Sequence, residues 1–346
     1  MTVMKAGYVY DPVYLQHDTG EHVENASRLE AIISMLEKSR LKERLTLIKP
    51  RPATFEELTM VHHEEYVVQI KDVALRGGGW LDVETVMSSG SYDAALNAAG
   101  GTIMAVEAVM GGEVNSAFAL VRPPGHHATA GEAMGFCVFN NVAIAARYAI
   151  KKCGLKHVAI IDFDVHHGNG TQEAFYSDPA VLYVSTHQYP LYPGTGGIED
   201  TGNGRASGTT INIPLPAGCG DAEYERVFEQ IVAPAVKRFR PELILVSAGY
   251  DPHWADELAQ MRVTVTGFGR MVSIIKGLAN ELCGGRLVFG LEGGYHLEAL
   301  AYSVKATFDV LLGETHIEDP LGQPPRGFAP DIESIISTVK RTHGLP

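Results

Sequence analysis

The 346-residue sequence lacks an excess of positive charge. Its 28 Lys and Arg residues are outnumbered by 41 Asp and Glu residues, which gives a formal net charge of −13 with histidine neutral. No basic run or basic helix face is present. Proteins that bind nucleic acid or anionic lipid directly need clustered positive charge. We therefore expect no direct contact with nucleic acid and no membrane association.

The sequence is also short of cysteine and of long apolar runs. No apolar stretch approaches the roughly 20 residues that span a membrane, and the first ten residues contain one lysine, unlike a signal peptide. The four cysteines include no CxxC pair, and each lies in apolar sequence: Cys137, Cys153, Cys219 and Cys283. We interpret them as reduced core thiols and predict a cytoplasmic location.

What the sequence does contain is a regular alternation of short apolar segments and helical periodicity. Strands are predicted at Tyr8–Tyr10, Ala117–Val121, Val158–Asp162, Val181–Ser185, Thr209–Ile213, Leu243–Ser247 and Arg286–Gly290. Helices are predicted from an N-cap at Ser27 through Leu36 and at Tyr92–Met110, Asn140–Lys152, Asp221–Phe239, Gly267–Leu282 and Leu297–Leu312. This alternation predicts an α/β fold with a parallel sheet covered by helices on both faces. We expect one domain, residues 1–346, with the tail from Asp319 lying over its surface.

The stretch Val158–Gly170 carries the strongest functional signal. Its apolar run is followed by Asp162, Asp164 and His166 at alternate positions, which point to one side when the chain is extended. Ligands of open α/β sheets bind at the carboxyl ends of the strands, where this cluster lies. Carboxylates with an imidazole predict a divalent-cation site, whereas a solvated turn would normally need only one polar residue.

Three further predicted strands also end in polar loops. They are followed by RPPGHH at 122–127, GYD at 249–251 and EGGYH at 292–296. Taken singly, a His-His pair suits a protein surface and GGY suits a turn. Four such loops at equivalent ends of core strands indicate instead one catalytic edge of the sheet.

These loops supply the groups needed to hydrolyse an amide. Asp164, His166 and Asp251 provide three ligands and leave a position open, as in catalytic zinc sites. A metal so held polarises a carbonyl and activates water. A neighbouring histidine can transfer the proton, and a tyrosine held by glycines can stabilise the oxyanion.

Six motifs in this order resemble those of the zinc-dependent histone deacetylase and acetylpolyamine amidohydrolase superfamily. They are RPPGHH, GFCVFNN, IDFDVHHGNGTQ, YPGTG, SAGYDPH and LEGGYH. The resemblance runs from about Gly7 to Leu312. It implies the arginase/deacetylase-like α/β fold, an eight-stranded parallel sheet flanked by helices on both faces.

The resemblance also implies roles for individual residues. Zinc would be bound by Asp164, His166 and Asp251, and His127 would be the general base and acid. His126 would be its electrostatic partner, steadied by Asp162, with Asn169 behind His127 and Tyr295 as the oxyanion donor. The substrate-binding residues implied are the Gly135 carbonyl, the tunnel walls Phe136 and Tyr192, the gatekeeper Leu258, Arg28 in the inner acetate cavity, and Glu84 at the rim.

Structural potassium is a further implication of the resemblance. One site would use the carbonyls of Asp162, Asp164 and His166 together with Ser185 and Thr186. A second site would use the main chain at Phe175, Asp178 and Val181.

Departures from the family pattern favour a class II-like enzyme. Asn169 stands where class I deacetylases have aspartate, and both prolines of the HPExPxR motif are lost in HVENASR. Bacterial polyamine enzymes carry a long insertion before the LDxDT region, whereas only Gly77–Trp80 precede it here. We therefore predict a zinc-dependent deacetylase acting on an acetylated lysine peptide or protein, or on another acylated primary amine.

Three alternatives remain at this point. An acetylpolyamine amidohydrolase would perform the same chemistry on a small cation. A non-catalytic acyl-lysine-binding protein is disfavoured by the intact ligand set and by Tyr295. An arginase or agmatinase would share the fold but uses two metals and a different aspartate-rich motif.

Overall fold

Eight parallel strands form one sheet in the part of the chain that the structure, a computed structural model, describes (residues 5–346). The strands are β1 (Ala6–Val9), β2 (Thr46–Ile48), β5 (Ser116–Ala119), β6 (Val158–Asp162), β7 (Val181–Gln188), β8 (Thr210–Leu215), β9 (Leu243–Ala248) and β10 (Leu287–Leu291). Their order is β2-β1-β5-β10-β9-β6-β7-β8. Two more strands, β3 (Gly78–Trp80) and β4 (Val86–Ser88), form a separate antiparallel hairpin.

Helices flank the sheet, as the β/α alternation predicts. They are α1 (Ser27–Lys38), α2 (Phe55–Leu58), α3 (Glu64–Leu75), α4 (Ser91–Met110), α5 (Asn141–Lys151), α6 (Asn169–Phe175), α7 (Asp221–Val227), α8 (Ala233–Phe239), α9 (Val265–Leu282), α10 (Leu297–Leu312) and α11 (Glu333–His343). Among residues 5–346, no helix has the length and apolarity needed to cross a membrane. The predicted α/β fold with an eight-stranded parallel sheet is confirmed.

The interior strand β6 begins and ends at the predicted residues. All five of its side chains are buried, and it pairs with β9 on one side and β7 on the other. A strand covered on both faces cannot present polar side chains to water, which explains its continuous apolar run. Polar residues appear only where the strand ends.

Strand order and register bring the four polar loops together. The strands that carry them, β5, β10, β9 and β6, are adjacent in the sheet. Their ends are level, since Asp162 pairs with Ser247, Ser247 with Gly290, and Gly290 with Ala119. The four loops therefore leave the sheet side by side at one edge.

Two local predictions were wrong. Ser27 is the first residue of α1 and not its N-cap, because Asn25 Oδ1 accepts the Ser27 N–H at 2.9 Å. The tail from Asp319 does not simply lie over the surface. Its helix α11 buries Ile336 and Val339 and packs against β8.

The predicted helix Asp221–Phe239 is continuous but irregular. A π-helical segment, Phe228–Val232, separates α7 from α8, and Pro234 is the second residue of α8. Proline lacks the N–H of a regular turn, so wider hydrogen bonding just before it accommodates the ring.

Candidate active site

Three predicted ligands converge at the catalytic edge of the sheet. His166 Nδ1 lies 3.1 Å from Asp164 Oδ1 and 3.2 Å from Asp251 Oδ2. Asp164 and His166 come from the loop after β6, and Asp251 comes from the loop after β9. Asp162, however, ends β6 and turns its carboxylate toward His126, so the alternation that predicted one cluster does not persist beyond the strand.

Both ligand carboxylates are held by backbone N–H groups of a neighbouring loop. Asp251 Oδ1 accepts from Val165 N at 2.9 Å, and Asp164 Oδ2 accepts from Gly293 N at 2.8 Å. A Cβ on Gly293 would collide with Asp251, and one on Gly249 would collide with Asp164. The glycines of these loops therefore allow the backbone to approach the carboxylates closely.

The geometry and electrostatics of this cluster fit a divalent cation. Tetrahedral ligands about 2.0–2.1 Å from a zinc ion lie about 3.3 Å apart, close to the spacing of these atoms. Asp251 Oδ2 is buried without a hydrogen-bond partner, so it has a free lone pair directed into the cluster. Burial, and then the adjacent Asp164 carboxylate, raise the pKa of Asp251 to about 7. A bound cation would relieve that repulsion.

A second buried group, His126, Cys137 and Glu292, also has ligand atoms within reach of one another. Each of these residues makes a hydrogen bond, although Glu292 Oε1 is buried without a partner. His126 Nδ1 lies 3.1 Å from Asp162, Cys137 Sγ donates to the Gly135 carbonyl, and Glu292 Oε2 accepts from Gly125 N at 2.7 Å. This group fits a metal less well than the Asp164 cluster.

The two histidines of RPPGHH lie beside the metal-site residues in different environments. His127 Nδ1 lies 2.8 Å from Asn169 Oδ1, while Asn169 Nδ2 donates to the His127 carbonyl. That second bond fixes the orientation of the amide, so its oxygen accepts the proton on Nδ1. His127 thus carries its proton on Nδ1 and leaves Nε2 free as a base.

His126, in contrast to His127, favours its protonated, charged form. Its ring lies 4.0 Å from that of His127, and its Nδ1 lies 3.1 Å from Asp162 Oδ2. Burial by itself lowers the pKa of His126, but the carboxylates of Asp164 and Asp162 outweigh burial and raise this pKa to about 10. Burial and the neighbouring His126 lower the pKa of His127 well below its usual value. The pair therefore combines a charged imidazole with a neutral one.

A tunnel with aromatic walls leads to this cluster. Its lining includes the predicted substrate residues Gly135, Phe136, Tyr192, Leu258 and Glu84, together with Tyr295. The Tyr192 ring meets His127 edge to face at 5.2 Å, and the Phe136 ring meets Tyr295 edge to face at 5.8 Å. The site therefore opens through an apolar passage, as an alkyl chain requires.

The Phe136 wall has an unusual backbone. Phe136 has a φ of 67°, a left-handed conformation that costs energy for a bulky residue. Its N–H donates to Thr85 Oγ1 at 3.1 Å, which links this wall to the hairpin side of the rim. Gly135 precedes it, and a Cβ there would collide with the His127 ring.

The inner end of the tunnel lies against a buried charge network. Arg28 is fully buried, with its guanidinium 4.9 Å from the centre of the Tyr295 ring. It donates to the carbonyls of Gly294 and Glu292 and to the Glu24 carboxylate. The structure thus places Arg28 behind Tyr295, on the inner side of the site.

The rim residues are also located. Leu258 lines the tunnel, whereas Glu257 is exposed and lines an adjacent depression. Glu84 and Tyr192 line the same tunnel. Burial, and then the Glu84 carboxylate, raise the pKa of the Tyr192 phenol.

Comparison with known proteins places this architecture in a family. A model of the histone deacetylase domain matches residues 22–311. The chain belongs to the histone deacetylase family. It is 42% identical over 348 residues to histone deacetylase 14, chloroplastic, of Arabidopsis thaliana, covering 96% of this chain and 82% of that protein. It is 39% identical over 353 residues to a probable deacetylase of Archaeoglobus fulgidus, covering 98% of each.

The three-dimensional fold leads to the same family. The crystal structure of the HDA15 HD domain superposes with a TM-score of 0.88 at 34% identity, covering 99% of this chain and 94% of that one. The chain is accordingly a hydrolase of the histone deacetylase family, as the six motifs indicate.

The residues predicted to bind potassium form two separate groups. Asp162, Ser185 and Thr186 lie at β6 and within β7, where Thr186 Oγ1 donates to the Asp162 carbonyl at 3.4 Å. Phe175, Asp178 and Val181 lie between the end of α6 and the start of β7. Potassium binding stays a prediction.

Sequence reasoning missed several polar residues of this deacetylase site. Glu24 and Arg122 form a buried ion pair that also holds Arg28, and Cys137, interpreted as a core thiol, lines the tunnel. Glu292 was recognised only as part of a loop, yet it receives the N–H groups of Gly125 and His126. Its place just after β10 was the one signal that could have identified it.

We predict that one divalent cation binds per chain and that either Asp164→Ala or His166→Ala abolishes its binding. Three ligands cannot lose one and retain affinity. The measurement is metal stoichiometry by elemental analysis after dialysis. Glu292→Gln and the exposed His316→Ala serve as controls and should keep the metal. If Glu292→Gln lost the metal and Asp164→Ala kept it, the metal site would be assigned to the second buried group, His126, Cys137 and Glu292.

Proposed function

We propose that this protein is a zinc-dependent amidohydrolase that removes acetyl or another acyl group from lysine side chains or related primary amines. One observation carries the proposal: the Asp164–His166–Asp251 cluster, the free Nε2 of His127 and Tyr295 meet at one aromatic-walled tunnel. We further propose that residues 1–346 act as one catalytic domain, which the single eight-stranded sheet supports.

The cation would be held by Asp164, His166 and Asp251. Bound zinc polarises an acyl carbonyl and makes a water more acidic. The chain supplies the fixed carboxylates, each anchored through one oxygen to a backbone N–H of another loop. This anchoring holds the ligands in place before substrate arrives.

His127 would carry the proton. Because Asn169 occupies its Nδ1, Nε2 accepts a proton from the attacking water and later returns it to the leaving amine. His126, charged beside Asp162, keeps the neighbouring imidazole neutral by repulsion and so preserves its basic form.

The remaining groups would bind the substrate. The Tyr295 hydroxyl would donate to the oxyanion of the tetrahedral intermediate. Phe136 and Tyr192 would pack against the alkyl chain of the acylated amine, and the Gly135 carbonyl would accept its amide N–H. An acyl-lysine, with an apolar stem and one polar end, matches these contacts.

Tyr295→Phe should lower kcat on acetyl-lysine peptide by about a hundred- to a thousandfold, because one oriented oxyanion donor is removed. Zinc content should not change. The measurement is steady-state kinetics beside elemental analysis.

The matched control for this change is Tyr302→Phe in α10, which should behave as wild type. Wild type that binds zinc and acetyl-lysine peptide without turnover would indicate a non-catalytic binding protein. A Tyr295→Phe variant within about threefold of wild type would assign the donor role to another group.

Asn169→Asp should move the acid limb of kcat/KM to higher pH. A carboxylate 2.8 Å from Nδ1 stabilises protonated His127 more than an amide does and so raises its pKa. Since the base works deprotonated, activity is lost as pH falls through that pKa, and the loss should begin at higher pH in the variant. Asn203→Asp adds the same charge at an exposed loop and should leave the limb in place. An unmoved limb in Asn169→Asp would exclude His127 as the base.

Wild type should prefer acetyl-lysine peptides to acetylputrescine or acetylspermidine. Leu258 presents an apolar side chain to the tunnel, whereas a carboxylate at this position could pair with the distal ammonium of a polyamine. Leu258→Glu should shift the ratio of kcat/KM values toward polyamines by about fivefold, the scale of an ion pair of about 1 kcal/mol.

Leu297→Glu is the matched control for this charge. It adds the same carboxylate in the adjacent depression and should change the ratio less. Wild type that favours acetylpolyamines outright would identify the protein as an acetylpolyamine amidohydrolase.

A further inference from the structure

Asp256 joins two loops of the active site through one carboxylate. It lies five positions after Asp251 and is only 5% exposed. Its Oδ2 accepts from Tyr295 N at 2.6 Å and from His296 N at 3.1 Å. Its Oδ1 accepts from Leu258 N at 3.1 Å. Both oxygens are therefore used, and each binds the backbone of a different loop.

The loop that carries Tyr295 needs such an anchor. Gly293 donates to Asp164 and the Gly294 carbonyl accepts from Arg28, but these bonds end before the backbone of Tyr295. The Tyr295 ring contacts Arg28 and Phe136 through its faces and edges, which do not fix its position along the tunnel. Hydrogen bonds that backbone N–H groups donate to a carboxylate are among the stronger and more directional contacts available.

We infer that Asp256 is a positioning residue that sets the hydroxyl of Tyr295 for the oxyanion and ties it to the tunnel mouth at Leu258. This inference rests on the proposed function, because it requires Tyr295 to be the oxyanion donor. A displacement of about 1 Å in a catalytic group can reduce the rate about a hundredfold, so a backbone anchor has a measurable effect on turnover.

The Asp256 carboxylate also couples the tunnel rim at Leu258 to the oxyanion donor Tyr295. Leu258 lines the tunnel, and its N–H shares Asp256 with the Tyr295 backbone. A shift of either loop alone would break at least one of these bonds. The mouth and the oxyanion donor are therefore held as one unit.

Asp256→Asn provides the first test, because the amide has nearly the same shape but only one accepting oxygen. We expect kcat to fall by about ten- to a hundredfold while KM changes by less than about threefold. Zinc content should be that of wild type. A kcat within about twofold of wild type would overturn the inference.

A double-mutant cycle separates positioning from general stability. If Asp256 acts through the Tyr295 hydroxyl, Asp256→Asn should cost less than about twofold in kcat when added to Tyr295→Phe. An equal loss in both backgrounds would show that Asp256 does not act through Tyr295. A Tyr295→Phe variant that is itself active would instead show that Tyr295 is not the oxyanion donor, and wild type without turnover would overturn the proposed function, so these failures are distinguishable.

Asp221→Asn is the matched control. Asp221 also links two segments, since its Oδ1 and Oδ2 accept from the N–H and hydroxyl of Thr264. It lies outside the tunnel lining, so this variant can lose thermal stability but should keep the wild-type kcat. A comparable fall in kcat in Asp221→Asn would make the Asp256 effect unspecific.

Amide hydrogen exchange can be measured on the wild-type protein, so this test of the anchor does not depend on whether a variant folds. The Tyr295 and His296 amides should exchange slowly, because a buried carboxylate accepts both. Exchange at the rate of an exposed loop amide would overturn the inference.

Discussion

Buried carboxylates that accept backbone N–H groups from neighbouring loops hold this active site together. The loops leave adjacent parallel strands and have no regular pairing with one another, so side chains must satisfy their backbone groups. Four acidic residues do so across loops. The pairs are Asp251 with Val165, Asp164 with Gly293, Glu292 with Gly125 and His126, and Asp256 with Tyr295 and His296. Each bond is shielded from water, and it is charge-assisted when the carboxylate is ionised, which makes the arrangement rigid.

The same arrangement concentrates negative charge in the interior, and that charge needs compensation. Arg28 and Arg122 meet Glu24 in a fully buried network on one side. His126 meets Asp162 next to it. Asp164 and Asp251 share His166, and Asp164 also lies 3.8 Å from His126 Nε2, whereas Asp251 retains an oxygen without a hydrogen-bond partner. The least compensated negative charge therefore lies where a catalytic cation would bind.

Two adjacent histidines with opposite charge preferences are the second consequence of this layout. The carboxylate of Asp162 stabilises a charged His126, while the neutral amide of Asn169 gives His127 only a proton acceptor. Repulsion between the rings then favours a neutral His127. The two histidines therefore have different roles because different side chains, Asp162 and Asn169, contact their Nδ1 atoms.

The sequence alone determined the parallel sheet, the fully buried strand β6 and the four polar loops at strand ends, because these depend on local apolar periodicity and on where it stops. Residue alternation could not show that Asp162 faces His126 while Asp164 and His166 face Asp251, since the chain leaves the extended conformation after Asp162. Only the family resemblance implied that arrangement. No local sequence pattern identified the roles of Glu24 and Asp256, because their partners lie on other loops. Only the tertiary structure, through strand order and level strand ends, decided which carboxylate binds which backbone N–H.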